Sequence, residues 1–260
     1  MYKQKLSAAS FVRKSRLIIG LDFVADITSM KQNPKAENDR LEKQARDIIA
    51  ATSDYAIAYK FNRHLVLPLG IFDRIPGIIN SIHAEGLTAI MDCKINDIGS
   101  TNAQIAKYYF SAGFDALIVN PLIGWEGGLD GVFEIARSDD KGIITLGYMS
   151  HPASHEGYGL QIAIDEKKKK HESLYLEFAR RARRWEADGI IVGATYPEKI
   201  SEIRKIVGPD PPIISPGVGV QGGNAKEAID AGASYIIVSR AIINAEEPGK
   251  IAAEMAAQTC

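Results

Sequence analysis

The sequence contains few cysteines and no excess of charge of either sign. Only two cysteines occur among 260 residues, Cys93 and Cys260, and no cysteine or histidine spacing matches a zinc site, so neither a disulfide framework nor a metal is expected. The 31 basic residues are matched by 32 acidic ones, whereas nucleic acids and membrane surfaces are bound by a broad excess of lysine and arginine. We therefore expect small-molecule or protein partners, with no nucleic acid and no membrane.

Long apolar segments are also missing. No run of about 18 apolar residues occurs, and the basic N-terminus lacks the apolar core of a signal peptide, so we expect a cytoplasmic protein. No glycine fingerprint of a nicotinamide or flavin site follows the first apolar run, where Gly20, Leu21 and Asp22 stand instead. The expected chemistry therefore uses no cofactor. A hydrophobic share of 46% is nonetheless enough for a sizeable core.

Eight short apolar runs alternate with amphipathic stretches. The runs span residues 17–23, 55–61, 88–94, 116–121, 142–149, 189–194, 212–217 and 235–241. None shows clean alternation of apolar and polar residues, which is typical of strands buried on both faces of a parallel sheet. Eight strand–helix units without a linker predict one (β/α)8 TIM barrel, a single domain over residues 1–260 with residues 1–15 as an N-terminal extension. An open Rossmann-type sheet is the alternative.

Charged residues of both signs stand at or near the ends of the first three runs, where barrels of this kind place their chemistry. They are Asp22, Lys60, Asp92 and Lys94, with Asp97 just beyond. Asp92 and Lys94 would face the same side of a strand, so Cys93 would face the helices. Burying so many charges is an expensive way to gain stability, and we interpret them as a catalytic array rather than a structural salt-bridge network. A lysine kept protonated among carboxylates can stabilise or protonate a forming carbanion.

A glycine-rich turn, PGVGVQGGN at 216–224, follows the seventh run. Glycines allow backbone N–H groups to approach an anion, and barrels often bind phosphate after their seventh and eighth strands. Arg240 ends the eighth run and can fork onto phosphate oxygens. Together they predict a phosphorylated ligand. The alternative is a tight turn beside an arginine that pairs with a surface carboxylate.

Four motifs resemble the orotidine 5′-phosphate decarboxylase family in its archaeal-like form, in order, within a stretch from about Leu17 to Ala256. They are DCKINDIGST at 92–101, MSHP at 149–152, SPGVGVQGG at 215–223 and IIVSRAI at 236–242. The resemblance implies a carboxy-lyase that converts orotidine 5′-phosphate to UMP and carbon dioxide without a cofactor, the last step of de novo UMP synthesis.

The resemblance also implies a role for each charged residue. Lys94 would stabilise the vinyl carbanion and protonate the ring carbon that loses the carboxylate. Asp92 would lie against the departing carboxylate, while Lys60 and Asp22 would hold the ribose hydroxyls and the charge network. Asp97 would reach into the site of a partner subunit, so a homodimer is expected.

Other positions would bind the rest of the substrate. Ile98 would line the pyrimidine pocket and Thr101 would lie near Asp97 in the partner's site. Ser150 would hydrogen-bond the pyrimidine edge, and Gln221 would link the base to the phosphate as the loop 216–224 closes. Arg240 would grip the phosphate. The other positions expected around the phosphate are Pro216, Gly217, Val218, Gly219, Gly222, Gly223 and Ser239.

Ser239 departs from the family, which usually has glycine before the phosphate arginine. Its backbone N–H can still donate, and we expect at most a change in phosphate affinity. His64 and His83 are interpreted as surface or helix residues, and His151 as a loop residue without a direct role in proton transfer. The lysine-rich stretch 167–170 is assigned no role.

Two other functions remain open at this point. One is a magnesium-dependent decarboxylase or aldolase acting on a keto-sugar phosphate, but such barrels carry a glutamate near the end of the second strand, where this sequence has Lys60. The other is a barrel that binds a nucleotide without catalysis, which would have little reason to keep both Lys94 and Asp97.

Overall fold

Eight parallel strands close into a barrel in the computed structural model, which describes residues 2–165 and 170–259. These eight and two further strands, β6 and β7, are in chain order β1 (Leu17–Leu21), β2 (Ala56–Asn62), β3 (Thr88–Ile95), β4 (Ala116–Val119), β5 (Gly142–Tyr148), β6 (Gln161–Asp165), β7 (Lys170–Ser173), β8 (Gly189–Val192), β9 (Ile213–Pro216) and β10 (Tyr235–Val238). The barrel order is β1-β10-β9-β8-β5-β4-β3-β2, while β6 and β7 pair separately. The predicted (β/α)8 barrel is confirmed, and the open-sheet alternative is wrong.

Helices surround this barrel. They are α1 (Tyr2–Arg13), α2 (Ile27–Gln32), α3 (Pro34–Thr52), α4 (Arg63–Leu69), α5 (Ile75–Ala84), α6 (Gly99–Ser111), α7 (Asp130–Ser138), α8 (Ser154–Gly157), α9 (Leu174–Arg184), α10 (Pro197–Val207), α11 (Ala225–Asp230), α12 (Arg240–Ile243) and α13 (Pro248–Ala257). Asn33 and Asn224 cap α3 and α11 through their side-chain oxygens, which accept bonds from otherwise unpaired backbone N–H groups.

The strands are buried on both faces, which explains their lack of alternation. Ile18 belongs to the cluster inside the barrel, whereas its neighbours Leu17 and Ile19 belong to the layer between the sheet and the helices. Because successive side chains of a strand point to opposite faces, both faces must be apolar where both are covered. The apolar runs of the sequence therefore reflect two core layers.

Helix α1 lies within residues 1–15 and packs against the barrel interior. Tyr2 and Leu6 are fully buried in the cluster inside the barrel. A Cβ atom at Gly142, the first residue of β5, would collide with the Tyr2 ring. The start of β5 therefore needs glycine to leave room for this helix.

One helical stretch, Arg63–Ala84, is long and apolar enough to cross a membrane by length and composition alone. It consists of α4, a π-helical turn (Gly70–Arg74) and α5. Ile75, Ile78 and Ile82 of α5 are fully buried in the outer core layer, so this part packs on the sheet. Leu67 and Phe72, in the first half of the stretch, are exposed.

The insertion between β5 and α9 contains the antiparallel pair β6–β7. Of the lysine-rich stretch 167–170, only Lys170 lies within the described residues, in β7.

Candidate active site

A chain of alternating charges lies at the carboxyl ends of β1, β2 and β3. The Nζ atom of Lys60 lies 3.3 Å from Oδ1 of Asp22 and 3.2 Å from Oδ2 of Asp92. The Nζ atom of Lys94 lies 2.5 Å from the other oxygen of Asp92. The structure thus brings together four residues that the sequence separates by up to 72 positions, Asp22 to Lys94.

The backbone at Lys94 is left-handed, with φ of 49°. This conformation is rare for a residue other than glycine and stores about 1–3 kcal/mol of strain where the surroundings enforce it. The pairing of β3 with β4 is irregular between Met91 and Ile95, around this residue. Cys93 is buried in the outer core layer, as its position in the strand suggested, and its Sγ lies 3.4 Å from the carbonyl oxygen of Ile118.

Burial and neighbouring charges act in opposite directions on Lys60 and Asp92. Burial alone would lower the pKa of Lys60, but Asp92 and Asp22 outweigh it and the pKa is raised. Burial alone would raise the pKa of Asp92, but Lys60 and Lys94 outweigh it and the pKa is lowered. Both groups therefore stay charged at neutral pH, because each has an opposite charge within hydrogen-bond distance.

The charged array forms one side of a pocket. Ile118, Leu146, Ile191 and Ile237 also line it, and all four belong to the apolar cluster inside the barrel. An apolar surface beside a row of charges can hold a planar ring with one polar edge. Asn62, the last residue of β2, also lines the pocket. It was not among the site residues predicted from the sequence, although its place at the end of a strand could have indicated it.

Another part of the pocket lining comes from β9, β10 and the segments that follow them. Pro216, Gly217, Val218, Gln221, Ser239 and Arg240 all line the pocket. No carboxylate among residues 2–165 and 170–259 forms an ion pair with Arg240, whose side chain is exposed. A guanidinium left free in this way can bind an anion.

The glycine loop is bonded to itself. The N–H groups of Gly219, Gly222 and Gly223 donate to Gly223, Gly219 and Gly217 over 2.9, 2.7 and 3.0 Å. Positive φ angles at Gly217, Gly219 and Gly222 shape this turn. In this structure those three N–H groups are used within the loop, and the guanidinium of Arg240 is a further donor at this end of the pocket.

Ser150 connects the loop to the opposite side of the pocket. Its hydroxyl donates to Oε1 of Gln221 over 2.7 Å. A Cβ atom at Gly217 would lie only 2.9 Å from Cβ of Ser150 and 3.0 Å from Oε1 of Gln221, so glycine is required for this close approach. Ser239, by contrast, has a buried hydroxyl without a hydrogen-bond partner in the described part of the chain.

Asp97, Ile98 and Thr101 do not line the pocket of their own chain. Asp97 is exposed and Ile98 is 63% exposed. The fully buried Asn102, which the sequence analysis did not assign, holds this turn: its Oδ1 accepts from the N–H of Asp97 over 2.9 Å, and its Nδ2 donates to the carbonyl of Gly128 over 2.9 Å.

The histidines lie away from the charged array. His83 pairs with Asp115 at 2.8 Å, His64 is an exposed residue of α4, and His151 is exposed in the turn after β5. Over the described ranges, no three or more His, Cys, Asp or Glu side chains are grouped so that they could hold a metal ion.

Fold and site together define a (β/α)8 barrel protein with a charged, ligand-sized pocket at the carboxyl ends of its strands. The chain belongs to the orotidine 5′-phosphate decarboxylase / HUMPS family, whose sequence model matches residues 15–255.

Individual relatives agree with this assignment. An orotidine 5′-phosphate decarboxylase of Methanosarcina barkeri is 37% identical over 216 residues, which cover 83% of this chain and 89% of that protein. The orotidine 5′-monophosphate decarboxylase of Methanocaldococcus jannaschii, solved with the inhibitor BMP, is similar at a TM-score of 0.73 and 27% identity, covering 94% of this chain and 98% of that one. A putative orotidine-monophosphate decarboxylase from Toxoplasma gondii reaches a TM-score of 0.84 at 25% identity, covering 98% and 94%.

Proposed function

We propose that this protein is a carboxy-lyase that converts orotidine 5′-phosphate to UMP and carbon dioxide without a cofactor. The observation that carries the proposal is the Asp22–Lys60–Asp92–Lys94 charge chain, which shares one pocket with the guanidinium of Arg240. The array offers an ammonium to a reacting carbon, and Arg240 offers a guanidinium to a phosphate. The named relatives supply the identity of the substrate.

Lys94 is the group that meets the reacting carbon in this proposal. When the bond between the ring and the carboxylate breaks, the electron pair stays on the ring carbon and carbon dioxide leaves. The ammonium of Lys94 offsets this negative charge and then gives the carbon a proton, and solvent restores the proton to Lys94. Asp92, 2.5 Å from the Lys94 ammonium, lies against the departing carboxylate.

Lys60 and Asp22 support this arrangement. Lys60 is only 5% exposed and links both aspartates, so it keeps Asp92 ionised and in place. Asp22 is more exposed and is available to a ribose hydroxyl. The base lies over the apolar residues of the pocket, with Ser150 at its polar edge and Gln221 between base and phosphate.

The phosphate is held by Arg240 and by the loop 216–224. Closure of this loop over the ligand removes water and strengthens the interactions between charges in the pocket. The backbone N–H of Ser239 is a further donor in the position where the family usually has glycine.

A homodimer completes the site in this proposal. Asp97 is exposed and does not line the pocket of its own chain, which supports a role in the pocket of a second subunit together with Thr101. Exposed apolar side chains on neighbouring segments, including Ile98, Phe72 and Tyr108, would be covered in such a dimer. The rings of Phe72 and Tyr108 meet edge to face at 5.9 Å.

The test is to incubate the purified protein with orotidine 5′-phosphate and follow the loss of orotate absorbance. Turnover that persists in EDTA supports the proposal. Activity on a keto-sugar phosphate that chelation abolishes would identify the magnesium-dependent alternative instead. Binding of UMP without any turnover would identify a barrel that binds nucleotide without catalysis.

A further inference from the structure

The segment 193–196, directly after β8, connects two parts of the site although none of its residues lines the pocket. The N–H of Gly193 donates to the carbonyl of Tyr148, at the end of β5, over 2.8 Å. The N–H of Ala194 donates to the carbonyl of Pro216, at the end of β9, over 2.8 Å. The segment therefore ties the turn after β5 to the beginning of the glycine loop.

Two side chains of the same segment hold the turn after β5. The hydroxyl of Thr195 donates to the carbonyl of Ser150 over 3.0 Å. The phenol of Tyr196 donates to the carbonyl of His151 over 3.1 Å, and its ring packs edge to face on Tyr148 with centroids 5.1 Å apart. Both hydroxyls thus act on the backbone of the turn that carries the Ser150 hydroxyl.

Glycines on both sides leave little space around Ser150. A Cβ atom at Gly193 would lie 2.7 Å from Cα of Ser150, and one at Gly217 would lie 2.9 Å from its Cβ. Both distances are shorter than ordinary carbon–carbon contacts, so larger residues would displace Ser150. Ser150 is held at its carbonyl by Thr195 and donates through its hydroxyl to Gln221 over 2.7 Å.

We propose that Thr195 is a positioning residue: by fixing the carbonyl of Ser150 it sets the Ser150 hydroxyl for Gln221, and so couples the base-binding turn to closure of the phosphate loop. This inference rests on the proposed function. Thr195 acts through Ser150 and does not itself line the pocket. Tyr196 supports the same turn through His151.

The expected defect follows from this geometry. Thr195→Val keeps the shape of the side chain and removes the hydroxyl, so kcat/KM for orotidine 5′-phosphate should fall about three- to tenfold, the effect of losing one hydrogen bond. Thr195→Ser keeps the donor and should restore a value close to that of the wild type. Tyr196→Phe, which removes the second donor, should show a smaller decrease in the same direction.

A double-mutant cycle separates positioning from a general structural role. Gln221→Ala removes the partner that Ser150 is positioned to reach, so Thr195→Val should cause little further loss in that background. Equal losses of kcat/KM in the wild-type and Gln221→Ala backgrounds would overturn the proposal. So would a loss of kcat/KM that accompanies a lower unfolding temperature in both Thr195→Val and Thr195→Ser. A Thr195→Val enzyme within twofold of the wild type would also overturn it.

A crystal structure of Thr195→Val tests the same inference without relying on turnover. We expect the turn 149–152 to shift and the contact between Ser150 and Gln221 to lengthen beyond hydrogen-bond distance. A turn that superimposes on that of the wild type would refute the positioning role. By contrast, a wild-type protein without activity on orotidine 5′-phosphate would refute the proposed function and leave this structural result to be judged by itself.

Discussion

The ammonium of Lys94 lies 2.5 Å from Oδ1 of Asp92, although only Cys93 separates the two residues in the chain and Lys94 has a left-handed backbone. Asp92 in turn accepts from Lys60 through its other oxygen. The buried carboxylate of Asp92 therefore binds two ammonium groups, that of Lys94 on its own strand β3 and that of Lys60 on the neighbouring strand β2. The proposed chemistry depends on this shared carboxylate.

Replacing Lys94 by alanine should abolish turnover. The ammonium is the proposed acid and stabilises the carbanion, so we expect kcat to fall at least about a thousandfold while UMP still binds. Orotate absorbance measures the first quantity and calorimetric titration with UMP the second. Lys226→Ala removes an exposed lysine that pairs with Asp230 and serves as a matched control. Near-normal turnover of Lys94→Ala would contradict the assigned role.

Hybrid dimers test whether Asp97 serves the neighbouring subunit. Lys94→Ala and Asp97→Ala should each be inactive as homodimers. After subunit exchange, half of the dimers are hybrids with one intact site, so about a quarter of wild-type activity should return. An equimolar mixture that stays inactive, with exchange verified by mass spectrometry, would place Asp97 outside the partner's site.

Replacing Arg240 by alanine should weaken phosphate binding. A charge-assisted hydrogen bond contributes about 1.5–3 kcal/mol, so kcat/KM should fall about 10- to 100-fold, or more if the guanidinium binds through both nitrogens. The thermal midpoint should hardly change, because Arg240 forms no ion pair with the described residues. The control for charge is Arg13→Ala, which removes the arginine at the end of α1 that pairs with Asp54. Unchanged affinity for UMP in Arg240→Ala would exclude the phosphate role.

The free energy of unfolding should depend on pH through the shifted pKa values of Asp92 and Lys60. Asp92 has a folded-state pKa below its ordinary value of 3.8, so its contribution is present above that value and is lost as pH falls through the folded pKa. Lys60 has a folded-state pKa above 10.5, so its contribution is present below that value and is lost as pH rises through the folded pKa.

Urea unfolding of the wild type and of Asp92→Asn at a series of pH values measures the first effect. At neutral pH the variant should be less stable by about 3–5 kcal/mol, because Lys60 loses a buried partner. Its acid-induced loss of stability should be smaller than that of the wild type. Parallel acid limbs in the two proteins would show that Asp92 is not held ionised by its neighbours.

Gly20 and Ser239 form a pair that can be tested through stability. A Cβ atom at Gly20 would lie 2.9 Å from Cβ of Ser239, so Gly20→Ala should lower the free energy of unfolding by about 1–3 kcal/mol. Ser239→Gly removes the colliding atom and should restore most of this loss in the double variant. Denaturant titration measures both, and additive losses would show that the two positions are independent.

The pattern of strands could be predicted because it depends on local chemistry. In β1, Ile18 faces one side of the sheet while Leu17 and Ile19 face the other, and all three are apolar. Only a sheet covered on both sides can bury such a segment. The grouping of Asp22, Lys60 and Asp92 could also be predicted, since the carboxyl ends of parallel strands meet at one rim of a barrel.

Other features of the site required the folded chain. The bond from Thr195 to Ser150 joins residues 45 positions apart and exists only because β8 lies beside β5. Likewise, the sequence suggested that glycine N–H groups face an anion, whereas Gly219, Gly222 and Gly223 donate within their own loop. No local pattern distinguishes these two uses of a backbone N–H.

The sequence by itself determined the barrel and which charged residues stand at the ends of its strands. Both depend on short segments, because each strand shows its burial and its terminal side chains locally. The tertiary structure decided which groups meet: the left-handed turn at Lys94, the exposed turn at Asp97 held by Asn102, and the link from Thr195 through Ser150 to Gln221. Hydrogen bonds act over about 3 Å, so they depend on how distant segments pack and not on the order of residues along the chain.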